Sequence, residues 1–292
     1  MKKLLLLGWC LTCLFACQTE QESESELDPE ITEALDSLAE KGPPQVVLES
    51  RGAVGSYVGA FEGEVIVYEK NPSATNLINI TIHEFRDGKV KGQSIVAGND
   101  RPFFGTYTED GSNYIIKVTE PGDDKHDGRF DFTLDTMEYV MTGKWYCNDP
   151  GVAVPVRSYS LKKRDFKYVA EYMLTEDIVG AEFYDPTNQT EKYEAVTADV
   201  LTVNASTDEL EEKDIENMYQ GDLEVIRNTI YARHGYSFRN RRMRYLFDNF
   251  VRWYMPVSVD VRHKLTAIEK QNIELIKRYE KHADKYYDEF SR

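Results

Sequence analysis

From about Val46 to Lys163 the chain alternates apolar and polar residues with a period of two, and no segment with helical spacing interrupts it. That pattern restricts this part of the molecule to an all-β fold. Candidate strands are 57–61, 64–68, 77–85, 90–97, 103–107, 114–118, 129–134, 139–145 and 157–161, dominated by Val, Ile, Tyr, Phe and Thr. Between them stand the turn pairs Asp87-Gly88, Asp110-Gly111, Pro121-Gly122 and Asp127-Gly128. Short strands at hairpin spacing predict an antiparallel meander, closed into a small barrel or a sandwich, over residues 46–164.

The first seventeen residues follow different rules. Lys2 and Lys3 precede a short apolar run from Leu4 to Leu14, and small Ala16 stands before Cys17. The run is too short for an ordinary membrane-spanning helix. Leu14-Phe15-Ala16-Cys17 resembles the bacterial lipobox. The resemblance implies a signal peptide over 1–16, cleavage before Cys17, and a lipid on Cys17. It further implies a protein anchored in the cell envelope, at the outer membrane, facing the periplasm or the cell surface. Cys10 and Cys13 would leave with the signal, so Cys147 alone would remain and no intramolecular disulfide could form. Cys147 ends an aromatic strand and reads as a buried small hydrophobe.

Residues 18–40 hold nine acids and no Lys or Arg, so self-repulsion predicts an extended acidic tether over 17–45. Ile31, Leu35 and Leu38 leave room for a short helix over 29–38. The whole chain has 35 basic and 51 acidic residues, a balance of -16 that disfavours nucleic acid as a partner. The last part reverses the sign. Residues 220–292 carry fifteen Lys and Arg against ten Asp and Glu, and between Arg233 and Lys264 eight cations face only Asp248 and Asp260. An anionic partner follows from that asymmetry.

Residues 165–205 read as a hairpin or linker, with strands over 178–184 and 193–200 around a turn at 185–188. Residues 206–292 read as a small all-α domain. Ser206 or Thr207 offers an N-cap before the acids at 208 and 209. Leu223, Ile226 and Ile230 recur at helical spacing, and Gly235 follows His234 as a left-handed C-cap would. Arg227, Tyr231 and His234 then share a face. A second helix carries Met243, Leu246 and Phe247 and ends at Trp253-Tyr254, before Pro256. A long third helix over 266–287 places Leu265, Ile268, Asn272, Leu275, Tyr279, His282 and Tyr286 on a predicted core face, Asn272 being its polar exception.

The run Arg227-Asn228-Thr229-Ile230-Tyr231-Ala232-Arg233-His234-Gly235-Tyr236-Ser237-Phe238 resembles the hallmark of the YARHG domain, a module of exported bacterial proteins. Trp253-Tyr254 and the segment from Leu265 to Ile273, with Glu269 and Asn272, resemble that family's aromatic pair and closing helix. The spacer from Met255 to Lys264 is longer than the family pattern. The resemblance implies a YARHG domain-containing bacterial lipoprotein. The family has no established enzymatic activity, and wall or envelope association is a proposal for it.

Two roles compete for the motif. In the first, Arg233, His234, Arg239, Arg241, Arg242 and Arg244 contact peptidoglycan or another anionic envelope component, or a partner protein. In the second, Arg227, Asn228 and Tyr231 tie helices together through buried hydrogen bonds, and His234 complements a helix C-terminus. Neither requires a catalytic residue, a metal or a cofactor. One alternative is a barrel that carries a small apolar ligand in the manner of a lipocalin; another is an envelope hydrolase using His234 as a base. Of the polar loops, 120–128 has three Asp and a His but lacks the alternating spacing of a calcium loop and reads as a solvated hairpin tip. Asp100 and Arg101 read as a surface pair.

Overall fold

The computed structural model describes residues 52–70, 72–181 and 195–286. The expectations for the signal peptide, Cys17, the tether and its short helix, and the middle of the 178–200 hairpin lie outside the described residues.

Eight strands form a closed antiparallel barrel: β1 (Gly55–Val65), β2 (Thr75–Arg86), β3 (Lys89–Val96), β4 (Asn99–Asp110), β5 (Asn113–Thr119), β6 (Gly128–Asp135), β7 (Val140–Cys147) and β8 (Val156–Lys163). Each pairs with the next, and β8 returns to β1, so no sheet edge is left open. The meander is the one predicted, with one strand fewer. Segment 57–61 and the first two residues of 64–68 belong to a single strand, β1, which slips register between Gly63 and Val65, and the rest of the second segment leads into the 3-10 turn Tyr68–Lys70.

Period two now has its physical meaning. Tyr57 and Phe61, Ile78, Ile80 and Ile82, Ile116 and Val118, Phe130, Phe132 and Leu134, and Tyr159 and Leu161 all point inward and pack together. Eight strands enclose just enough space for such side chains to fill, or for one small ligand. Most of this interior is filled.

The helical part comprises α1 (Glu212–Ile215), α2 (Gln220–Arg233), α3 (Arg241–Phe250) and α4 (Ala267–Tyr286) around a second core that includes Leu223, Ile226, Ile230, Phe238, Phe247, Tyr254, Ile273 and Ile276. Several local expectations need correction. Ser206 caps no helix; α1 begins after Glu211, in a capping box with Asp214. The second helix stops at Phe250, short of Trp253. The buried face of α4 is Glu269, Asn272, Ile273, Ile276 and Ala283, rotated from the predicted stripe; Tyr286 is 60% exposed. Of the strands expected over 178–184 and 193–200, the described ends are the 3-10 turns Glu176–Ile178 and Ala198–Leu201, although Gly180 and Ala181 do exchange backbone hydrogen bonds with Val196.

The described residues from Gly52 onward belong to one compact unit. Helices cover the outer face of β2: Leu77 N–H donates to Asp248 Oδ2 at 2.8 Å, and the Asn79 amide donates to the Pro256 carbonyl at 2.8 Å. The β3–β4 hairpin reaches the same side, Gly98 N–H donating to Ser237 Oγ at 3.0 Å. Among the described residues no helix is long and apolar enough to cross a membrane.

Candidate functional site

Helix α2 ends where its sequence runs out of choices. Gly235 takes φ +76, and a Cβ there would stand 2.3 Å from Val257 Cγ2. Only glycine satisfies both the left-handed turn and the close approach. The turn leaves His234 facing inward, 4% exposed, its ring stacked on Tyr168 at 4.3 Å.

His234 meets the hub of the domain, Glu269, which is fully buried. Its Oε2 lies 2.8 Å from His234 Nε2 and accepts Thr266 N–H at 2.9 Å; its Oε1 accepts the hydroxyls of Ser206 at 2.7 Å and Tyr168 at 3.1 Å. Glu269 N–H in turn donates to Thr266 Oγ1, completing a capping box at the start of α4. Burial alone would raise this carboxyl, but the bonds from His234, Thr266 and Ser206 outweigh it and hold the pKa at about 2. One turn on, Asn272 donates to the carbonyls of Ala205 and Asp208 and accepts Leu210 N–H, pinning the 205–210 loop. Arg233 donates twice to the Tyr172 carbonyl and once to Ser206 Oγ, and burial pushes its guanidinium down to about 10.

The remaining motif residues are also internal. Arg227 joins α2 to α4 through Glu280 at 2.6 Å. Asn228 bonds back to Glu224 O within α2, so it does not bridge helices. Tyr231 contributes its ring, 6.1 Å from Tyr236. The Trp253 indole donates to Met173 O and stacks on Tyr172, and Tyr254 OH donates to Tyr236 O.

The arginines predicted to meet a ligand are drawn into the fold. Arg241 donates to Pro72 O, and Arg244 to Ser73 Oγ and to Arg239 O. Arg242 pairs with Glu224 at 2.7 Å. Arg239 is exposed, yet its guanidinium reaches Gly98 O at 3.3 Å. These side chains bind the YARHG-like helices to the barrel and to each other. They border a cleft of about 690 Å³ between residues 72–76, residues 177–181 and α3, where the joint is already bonded through Asp248, Arg241 and Arg244.

A second recess, of about 340 Å³, opens at one end of the barrel. Its floor is aromatic: Phe61, Phe130 and Trp145, with ring centroids 5.8 to 6.5 Å apart. Its wall is polar, formed by Asn76, Ser94, Arg101, Glu120 and Arg157. Glu120, 3% exposed, accepts Ser94 Oγ at 2.9 Å, Gly128 N–H at 2.7 Å and Trp145 Nε1 at 3.2 Å; burial nonetheless raises its pKa. Arg101 pairs with Asp127 at 2.8 Å and Asp124 at 3.4 Å, so the expected Asp100–Arg101 surface pair is not formed. The 120–128 loop is therefore a braced wall with solvated residues only between Pro121 and His126, and Asp127 is 1% exposed. Cys147 is half-buried and its thiol donates to Lys125 O, where burial raises its pKa. Among the described residues no group of three or more His, Cys, Asp or Glu could hold a metal ion.

Sequence reasoning passed over this wall, yet its signal is present. Arg157 shares parity with Tyr159 and Leu161, Glu120 with Ile116 and Val118, and Asn76 with Ile78 and Ile80, so each is a polar residue on an inward-facing position at a strand end. Residues 198–281 match the family model described as YARHG domain. The chain carries that domain from the turn Ala198–Leu201 through most of α4. No curated protein and no solved structure matches the chain.

Proposed function

We propose that this chain, a β-barrel carrying a YARHG domain, is a lipid-anchored exported protein of the cell envelope that binds rather than catalyses. In this reading the YARHG domain braces the barrel and the recess at the barrel mouth takes the ligand. One observation carries it: Asn76, only 6% exposed, lines that recess as well as the larger cleft, and its Oδ1 has no hydrogen-bond partner. A buried acceptor left unpaired is costly, and such atoms are rare in folded proteins unless something else supplies the bond. His234 supports the non-catalytic part, because its Nε2 is taken by Glu269 and its ring is covered by Tyr168. Lipid on Cys17 accounts for the positive, apolar and small residues before it.

The test is native mass spectrometry of the full chain after incubation with an envelope extract. A retained small molecule that is lost when the recess is plugged by Ala153→Trp supports the reading. Equal retention by both proteins overturns it. Anchoring is checked separately, by loss of the lipid mass and of membrane association in Cys17→Ser.

A second reading, in which the helical domain engages peptidoglycan or another anionic envelope component, draws on its excess of cations and on exposed Arg239. Salt-sensitive co-sedimentation with peptidoglycan that Arg239→Glu abolishes would favour it.

A further inference from the structure

The wall of the recess also indicates what its ligand must be, an argument that rests on the mouth being the binding site. Arg157 and Asn76 flank Phe61. Asn76 is its register partner on β2, and Arg157 stands two residues from Tyr159, its partner on β8, with the guanidinium 5.1 Å from the Phe61 ring. Arg157 is 9% exposed and donates to three carbonyls, those of Phe61 at 2.9 Å, Ala74 at 2.9 Å and Ser73 at 2.8 Å. None of those acceptors is a charge. Among the described residues no carboxylate pairs with it. Buried guanidinium groups ordinarily have a counter-ion, and their planar fork fits a carboxylate.

Beside this donor lies the opposite need, an Asn76 Oδ1 that lacks a donor. A molecule that satisfies both carries an anionic oxygen and a hydrogen-bond donor close together, on a body that rests against Phe61, Phe130 and Trp145. The surrounding charges narrow the class. Glu120 and Asp124 also line the recess, and Arg101, which pairs with Asp124, leaves Glu120 without a cation of its own among the described residues, which disfavours a dianion such as a phosphate monoester. A donor on Asn76 would stand across Phe61 from the Arg157 guanidinium, which disfavours an ammonium there. A neutral hydroxyl remains.

We propose that the recess binds a small hydroxycarboxylate, up to the size of a uronic acid, with the carboxylate on Arg157 and a hydroxyl donating to Asn76 Oδ1. The volume of about 340 Å³ lies at the small end of ligand pockets.

The test is isothermal titration calorimetry of the full chain with four probes: D-glucuronate, the smaller hydroxycarboxylate lactate, and two controls, D-glucose, which lacks the carboxylate, and cyclohexanecarboxylate, which lacks the hydroxyls. The expected result is saturable binding of glucuronate, with both controls at least tenfold weaker. Arg157→Lys keeps the charge but loses the fork and is expected to weaken glucuronate at least tenfold. Because Arg157 also braces three carbonyls, Asn76→Leu is the second variant: it is expected to keep or raise the melting temperature while losing glucuronate at least tenfold. Equal binding of glucose, unchanged binding in Asn76→Leu, or no saturable response to glucuronate and to lactate at millimolar concentration overturns the assignment. If those probes fail while an extract component is still displaced by Ala153→Trp, the mouth remains a binding site and only the ligand class is wrong.

Discussion

Glu269 Oε2 lies 2.8 Å from His234 Nε2, and the two residues are 35 positions apart in the chain, on the ends of different helices. That contact, with the bonds from Thr266, Ser206 and Tyr168, makes one carboxylate the meeting point of the helical domain. Glu269→Gln keeps the size but leaves one oxygen where two had accepted four donors. It is expected to cost about 3 kcal/mol, the scale for leaving buried donors to a charged acceptor unsatisfied, measured by urea denaturation. The pH dependence has a definite sign. The folded pKa is about 2 against an ordinary 4.5, so the stabilisation is complete above 4.5 and is lost as pH falls towards 2. In the variant that acid limb should be shallower; an unchanged limb would show that Glu269 is not its source.

Gly235→Ala tests the C-terminal turn of α2. The left-handed backbone alone costs a non-glycine residue about 1–2 kcal/mol, and the new methyl group would overlap Val257 Cγ2 and crowd Phe166. The expected total is about 3 kcal/mol or more, in the range of overpacked core sites. A melting temperature within a degree of the native protein would contradict the packing described for 255–258.

How much of this was legible beforehand follows from which physical signal each element carries. The barrel was legible because inward Ile78, Ile80 and Ile82 alternate with outward polar positions, and because turn pairs such as Asp87-Gly88 punctuate the run. The motif helix was legible because Leu223, Ile226 and Ile230 keep helical spacing and Gly235 ends it. Helix α4 was misrotated because its two central buried residues, Glu269 and Asn272, are polar and count against the true face in any hydrophobic pattern. The Arg cluster was misread for a related reason. Local charge density says nothing of acceptors 140 to 170 residues away, such as Gly98 O for Arg239 and Pro72 O for Arg241. The recess was missed because Arg157, Glu120 and Asn76 look like ordinary strand-end polar residues until closure of the barrel turns their parity inward.

Charge reversal at Arg241 and Arg242 separates brace from ligand surface. Arg242→Glu places a carboxylate opposite Glu224, and Arg241→Glu removes the donor to Pro72 O. The double variant is expected to lose about 2–4 kcal/mol, more than exposed surface charges cost. It should also raise amide hydrogen exchange in residues 72–77 of the barrel, across the joint. Unchanged stability with loss of peptidoglycan co-sedimentation would instead make these arginines a working surface.

The joint itself should respond to pH through Asp248. Its carboxylate sits between β2 and α3, where burial raises its pKa to about 7 even though Leu77 N–H and the charge of Arg244 favour the ionised form. Because the folded state holds this proton where the unfolded chain, near 3.8, has released it, stability should fall as pH rises from about 4 to 7 and then level. Asp248→Asn keeps an oxygen for Leu77 N–H and removes the ionisation. The variant should therefore gain on the native protein across that window, by at most about 4 kcal/mol for a three-unit gap. Denaturation midpoints at pH 5 and pH 8 decide it. A variant equally destabilised at both would mean that the charge, not merely the acceptor, holds the helices on the barrel.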